Sequence, residues 1–114
     1  LHEIENKYLV NLYKYAKFYV FSSDCEVFGL TSLEAMSQGC PILISNTSAL
    51  PEINDIAADY FDPDNVMDIK DKIQKIIFDE KHKNELVEKG QNHFKKFTWN
   101  NNVNITLDHI YNLN

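Results

Sequence analysis

The chain has 114 residues, a length that suits one domain of ordinary size. Hydrophobic residues make up 44%, enough for a packed core, which excludes a wholly disordered chain. The net charge is −6 and all eleven basic residues are lysines, so a nucleic-acid partner is disfavoured because phosphate contacts need a basic face. A phosphate held by this chain would depend on lysines, hydroxyls or backbone N–H groups.

The two cysteines and the absence of export signals point to the inside of the cell. Cys25 and Cys40 form no CxxC pair, so we expect free thiols in a reducing compartment. No apolar run approaches the ~20 residues of a membrane span, and no signal peptide opens the sequence. We therefore expect a cytoplasmic protein and leave open peripheral contact with the inner face of a membrane. Because the sequence begins at Leu1 and not at Met, we expect a fragment or a processed chain.

The first half of the chain alternates amphipathic helices with short apolar strands. The polar stretch 62–64, with its proline, stops the last of these strands. In chain order, the predicted elements are a helix over 6–16, a strand over 18–21, a turn over 22–25, a helix over about 31–38 closed by Gly39, a strand over 41–44, a loop over 45–48, a helical turn beginning at Pro51, and a weaker strand over 58–61.

The second half of the chain is predicted to be helical, with three apolar stripes at helical spacing. We place the N-cap of the last helix at Thr98. We expect Trp99 and the tyrosines to pack against the core. The three stripes consist of Val66, Ile69, Ile73, Ile76 and Ile77; of Leu86, Val87, Gly90 and Phe94; and of Trp99, Val103, Leu107, Ile110 and Tyr111.

This alternation predicts an α/β fold, a Rossmann-like parallel sheet with flanking helices. Ligands of such folds bind at the carboxyl ends of the strands, on the loops that lead into helices. The loops over 22–30 and 45–50 occupy those positions.

The stretch EVFGLTSLE, residues 26–34, carries two carboxylates eight positions apart, and its structural interpretation is an ordinary helix start. Thr31 and Glu34 have the spacing of a capping box, in which each side chain accepts from the other's backbone N–H. Gly29 would then only permit a tight turn, and Glu26 would be a solvated loop residue.

The functional interpretation uses the same geometry. A loop that ends at a helix N-terminus presents free N–H groups to an anion, here near Gly29, Leu30 and Thr31. They could hold a pyrophosphate without any arginine. Two acids beside one phosphate site suit a nucleotide sugar, with one acid for the ribose and one for the transferred hexose.

The stretch resembles the E-x7-E motif of the retaining GT-B glycosyltransferases of the large GT4 type, with Glu26 and Glu34 as the two acids. The segments SLEAMSQGCPILISN, SALPEI, ADYFDPDN and FKKFTW also resemble family segments, in the family's order and spacing. Val27 departs from the small residue that is usual after the first acid. Nothing in the chain matches the Gly-rich segment and basic pair with which the family's donor-binding domain begins, so we expect residues 1–114 to be a single partial domain from the second half of that domain.

The resemblance implies transfer of a sugar from a nucleotide sugar, UDP-, GDP- or ADP-linked, to an acceptor hydroxyl with retention of configuration, in glycan or polysaccharide synthesis. Glu34 would hold the ribose hydroxyls, and Glu26 would contact the transferred sugar and stabilise its developing positive charge. The N–H groups of Phe28, Gly29, Leu30 and Thr31 would line the sugar and phosphate site. It further implies no cofactor and no divalent metal, dependence on an N-terminal part of the same enzyme, and no activity for the isolated fragment.

Other polar residues have weaker functional interpretations. We expect Glu52 to cap the short helix after Pro51, while the loop over 46–48 is open to donor contact or to a plain polar turn. Lys95 and Lys96 fit a solvated helix end. The four histidines, which have no ligand spacing and for which we predict no metal site, are His2, His82, His93 and His109.

Two alternative functions stay open at this point. One is a nucleotide-sugar 2-epimerase of the same fold, which the Glu26–Glu34 pattern disfavours. The other is a non-catalytic nucleotide-binding subunit that works with a partner chain. The upstream coding sequence would separate the second alternative from the transferase.

Overall fold

The computed structural model describes residues 4–112 and has the predicted alternation of strands and helices. A single 3₁₀ turn, Asp55–Ala57, separates the third helix from the last strand. The elements are α1 (Asn6–Tyr15), β1 (Tyr19–Phe21), α2 (Leu30–Ser37), β2 (Ile42–Ser45), α3 (Leu50–Asn54), β3 (Asp59–Phe61), α4 (Val66–Phe78), α5 (Glu80–Phe94) and α6 (Trp99–Asn112).

The three strands form one parallel sheet in the order β1-β2-β3. Val20 pairs with Leu43, and Ile44 pairs with Tyr60. Every residue of the central strand β2 is buried, as expected for a parallel strand covered on both faces. The predicted α/β, Rossmann-like class with flanking helices is confirmed, and the loops that follow β1 and β2 lie at the same edge of the sheet.

Helix α2 packs closely against α5 and anchors the larger part of the core. Its Ala35 and Met36 are fully buried. Gly90 makes the close approach possible, because a Cβ atom there would lie 3.1 Å from Cγ of Met36. The second part of the core joins β2 and β3 to the late helices through Leu43, Phe61, Ile69, Ile73, Ile76 and Leu86.

The C-terminus of α2 confirms the predicted role of Gly39. The residue has φ +72°, a left-handed conformation that favours glycine. Its N–H donates to the carbonyl of Met36 (3.0 Å), and the N–H of Cys40 donates to the carbonyl of Ala35 (3.0 Å). This pair of bonds is the Schellman motif, which fixes the turn into β2.

Helix α6 begins as predicted but does not pack as predicted. The Thr98 hydroxyl accepts from the N–H of Asn101 (3.2 Å), which confirms the N-cap. The expectation that Trp99 packs against the core is wrong, since its side chain is 85% exposed and no residue of α6 within the described part of the chain is buried. The tyrosines divide: Tyr13 is buried, whereas Tyr15 is 75% exposed.

No helix within residues 4–112 combines the length and the apolar character that a membrane crossing requires.

Candidate active site

The loop after β1 turns into α2 at Gly29, whose φ of +77° and ψ of +48° place it in the left-handed region. Glycine is required there for a second reason, because a Cβ atom would lie 2.8 Å from Cδ2 of Leu50. The Gly29 carbonyl accepts a hydrogen bond from the Ser32 N–H (3.0 Å). It also lies 2.8 Å from the Ser32 hydroxyl. The same hydroxyl lies 2.6 Å from Oδ1 of buried Asn54, so the start of α2 is tied to the end of α3.

Most N–H groups at the start of α2 have no acceptor among the described residues. Within residues 4–112, the backbone N–H groups of residues 28–31 donate to no protein acceptor, and Gly29 offers no side-chain cap. Those of Gly29, Leu30 and Thr31 lie at the cap and first turn of the helix, where the positive end of the dipole favours a bound anion.

The predicted capping box is wrong. The helix begins at Leu30, so Thr31 is its second residue and not its N-cap, and no acid lies in the first turn. The Thr31 hydroxyl instead accepts from the Tyr19 hydroxyl (3.0 Å). Glu34 is exposed in the second turn, with its Oε2 atom 3.4 Å from the Tyr13 hydroxyl.

Glu26 is half-buried in the loop and is held mainly through its backbone. Its carbonyl accepts from the N–H of Ala49 (3.4 Å), and its Oε1 atom lies 3.5 Å from the Ser23 hydroxyl. Val27 next to it is 90% exposed and Leu30 is 64% exposed. The ring of Phe28 meets Phe97 edge to face at 6.0 Å.

Two tyrosines contact side chains of α2, although the sequence predicted only a core position for both. Tyr13 and Tyr19 pack edge to face, with ring centroids 5.6 Å apart. Burial, together with the nearby Tyr19 hydroxyl and the Glu34 carboxylate, raises the pKa of Tyr13 to about 12; burial also raises the pKa of Tyr19. Both hydroxyls therefore remain donors at neutral pH. A tyrosine at a core position needs an acceptor for its hydroxyl, which is the signal that could have drawn attention to them.

The second strand-end loop is bonded to the first. The Ser45 hydroxyl (2.5 Å) and the Thr47 hydroxyl (2.8 Å) both donate to the carbonyl of Ser23. Asn46 is exposed. Glu52 is exposed in the first turn of α3, where its charge is favourable to the helix dipole as predicted, and it makes no capping hydrogen bond within the described residues.

Two histidines contact other parts of the fold. Nε2 of His82 lies 2.5 Å from Oδ2 of Asp59, and Nε2 of buried His93 lies 2.7 Å from the carbonyl of Ile53. Within residues 4–112, no three His, Cys, Asp or Glu side chains come together as metal ligands. His2 lies outside the described residues.

The family model described as Glycosyl transferases group 1 matches residues 1–93, which include both strand-end loops. The chain belongs to this family. Two named relatives come from Escherichia coli. The serotype-specific mannosyltransferase WbdA is 37% identical over 100 residues, which are 88% of this chain and 12% of WbdA. The O-antigen chain mannosyltransferase B is 35% identical over 97 residues, which are 85% of this chain and 26% of that protein.

This group 1 chain thus spans about an eighth to a quarter of the length of the relatives it matches. Among solved structures, sucrose-phosphate synthase from Thermosynechococcus elongatus superposes with a TM-score of 0.77, over 99% of this chain and 29% of that one. At 24% identity this likeness supports the fold alone.

Proposed function

We propose that this group 1 chain forms part of the donor site of a retaining glycosyltransferase that uses a nucleotide-linked mannose in glycan synthesis. The observation that carries the proposal is the N-terminus of α2, where unused N–H groups of residues 28–31 stand between Glu26 and Glu34 along the chain. The names of the relatives supply the mannosyl residue as the transferred group and an O-antigen or similar polysaccharide as the product.

The proposed chemistry assigns one task to each part of the site. The free N–H groups stabilise the diphosphate as it leaves, with no metal required. Exposed Glu34 accepts hydrogen bonds from the ribose hydroxyls and so contributes to donor binding. Glu26 stabilises the positive charge that develops at the anomeric carbon, an interaction that is strongest in the transition state.

Retention of configuration and a nucleotide-linked donor enter the proposal through the resemblance of the E-x7-E stretch. Because the relatives above are named transferases, transfer is favoured over 2-epimerisation. A nucleotide-binding subunit without activity of its own would keep the role of Glu34 and lose that of Glu26.

The test is a kinetic comparison in the longest polypeptide that the reading frame encodes, with Glu34→Ala, Glu26→Gln and the control Glu88→Ala, an exposed glutamate of α5. A charge-assisted hydrogen bond contributes about 1.5–3 kcal/mol, so its loss in Glu34→Ala should raise the donor KM by roughly 10- to 100-fold. Glu26→Gln should lower kcat by roughly 100- to 1,000-fold, and Glu88→Ala should resemble the wild type.

An unchanged donor KM in Glu34→Ala together with an unchanged kcat in Glu26→Gln would overturn the proposal. Loss of donor binding in Glu34→Ala, in a protein that turns over no nucleotide sugar, would favour the non-catalytic subunit. The anomeric proton of the product, observed by NMR, tests retention separately.

A further inference from the structure

The loop that carries Glu26 is bonded to the loop after β2 by two hydroxyl groups that no catalytic assignment uses. Ser45 ends β2 and is fully buried, and Thr47 follows it by two residues. Both hydroxyls donate to the same acceptor, the carbonyl of Ser23, at 2.5 and 2.8 Å. A carbonyl oxygen has two lone pairs, so it accepts both bonds at once.

Ser23 passes this constraint to Glu26. Its own hydroxyl donates to the carbonyl of Cys25 (3.2 Å) and lies 3.5 Å from Oε1 of Glu26. From the other side, Ala49 of the same β2 loop donates its N–H to the Glu26 carbonyl. The β2 loop therefore holds the Glu26 loop at two points, at Ser23 and at Glu26 itself.

The far end of the Glu26 loop meets the same neighbour. Leu50, the first residue of α3, lies against Gly29, where even a methyl group would come within 2.8 Å of its side chain. The segment 23–29 is thus bounded by the β2 loop and the start of α3 along its length, whereas Val27 in its middle is almost fully exposed.

We propose that Thr47 and Ser45 are positioning residues that set the place of Glu26 through the Ser23 carbonyl. The inference rests on the proposed function of Glu26. A catalytic group must be held within a fraction of an ångström of its productive position, and a small displacement can cost roughly 100-fold in rate. Removing one of the two bonds should therefore affect the transition state more than donor binding, because the ribose acid Glu34 stands on α2 and is held separately by Tyr13.

The experiment compares Thr47→Val with Thr47→Ser and Thr106→Val in the longest polypeptide of the reading frame. Valine keeps the shape of threonine and lacks the hydroxyl, while serine keeps the hydroxyl. Thr106 is a matched control, since its hydroxyl also donates to a backbone carbonyl at 2.8 Å, that of Asn102 in the exposed helix α6. Ser45→Ala is the second test variant.

Thr47→Val should lower kcat by roughly 10- to 100-fold with less than a threefold change in donor KM. Thr47→Ser should restore most of the rate, Ser45→Ala should resemble Thr47→Val, and Thr106→Val should match the wild type. A thermal melt of each variant accompanies the kinetics. Unchanged kcat in Thr47→Val, or equal losses of kcat, donor binding and melting temperature that Thr47→Ser does not rescue, would overturn the inference.

Glu26→Gln in the same series separates the two proposals. If Glu26→Gln lowers kcat and Thr47→Val leaves kcat unchanged, the positioning role fails and the function of Glu26 stands. If Glu26→Gln keeps its full kcat, the proposed role of Glu26 fails, and the positioning role fails with it.

Discussion

Helices α2 and α4 begin in opposite ways. At α4, the Asn65 side chain accepts from the N–H groups of Met67 and Asp68, both at 3.1 Å, so the helix satisfies its own first donors. At α2, Gly29 stands in the cap position, and the N–H groups of residues 28–31 have no acceptor in the part of the chain that the structure describes. A side-chain cap satisfies the first donors of a helix, whereas a helix start without one can receive an anion.

The largest effect that would sharpen this comparison is expected for Gly29→Ala. A left-handed φ costs a non-glycine residue about 1–2 kcal/mol, and the contact with Leu50 adds a similar amount, so we expect a loss of about 3 kcal/mol in unfolding free energy. Gly39→Ala is the control, because Gly39 has a similar positive φ but its closest neighbour is the end of the flexible Gln91 side chain, and it should lose about 1–2 kcal/mol. Equal losses in urea unfolding would show that Leu50 does not constrain the turn.

A smaller effect is expected at the closed helix. Asn65→Ala removes the cap of α4 and should lower the unfolding free energy by about 1 kcal/mol, whereas Asn65→Asp should retain most of it. Nucleotide binding should be the same in both variants, since this cap lies outside the proposed site. A loss of nucleotide binding in Asn65→Ala without a loss of stability would break the division between the two kinds of helix start.

The next effect is confined to alkaline pH. The pKa of Tyr13 is raised to about 12 by burial, with a contribution from Glu34, while the ordinary value is 10. The unfolded chain releases this proton first, so the stability is fully present below pH 10 and falls as the pH rises from about 10 to about 12. Tyr13→Phe should flatten this part of the stability curve, measured by urea unfolding across that range.

Tyr60→Phe is a second test variant for the alkaline experiment. Burial, with Asp55 nearby, raises the pKa of Tyr60 to about 12 as well. Each variant should remove part of the slope, and the double variant should remove more. If both single variants kept the wild-type slope, neither tyrosine would be the group that titrates.

The last prediction concerns the reactivity of the two thiols, and it involves no expected change in the free energy of unfolding. Cys25 is exposed beside Glu26, whereas Cys40 is buried after α2 and its pKa is raised to about 11 by burial. Iodoacetamide at pH 8 should therefore modify Cys25 rapidly and Cys40 only in urea. A bound nucleotide should slow the modification of Cys25; an equal rate at both thiols would contradict the burial of Cys40.

Local patterns in the sequence were sufficient for most elements. Gly39 and Thr98 were predicted correctly because a helix end and an N-cap depend on a few neighbouring residues. The apolar run of β2 predicted a buried parallel strand for the same reason.

The capping box failed because the helix starts at Leu30, so Thr31 is not its N-cap, and distant residues contact the two side chains instead. Tyr19, twelve positions away, bonds the Thr31 hydroxyl, and Tyr13, twenty-one positions away, approaches Glu34. The predicted core packing of Trp99 failed for a different reason. Its spacing predicts an amphipathic helix face, but it does not predict that another surface packs against that face. The two bonds to Ser23 likewise join residues more than twenty positions apart, which no local pattern encodes.

The most direct test of the open helix start is an amide NMR titration of the chain with UDP, GDP and ADP, with Glu34→Ala and Glu88→Ala measured alongside. We predict that one nucleotide shifts the amides of residues 26–35, that Glu34→Ala weakens these shifts, and that Glu88→Ala preserves them. Shifts located elsewhere, no shifts at millimolar nucleotide, or shifts that Glu34→Ala leaves unchanged would contradict the assignment of this helix start to the donor.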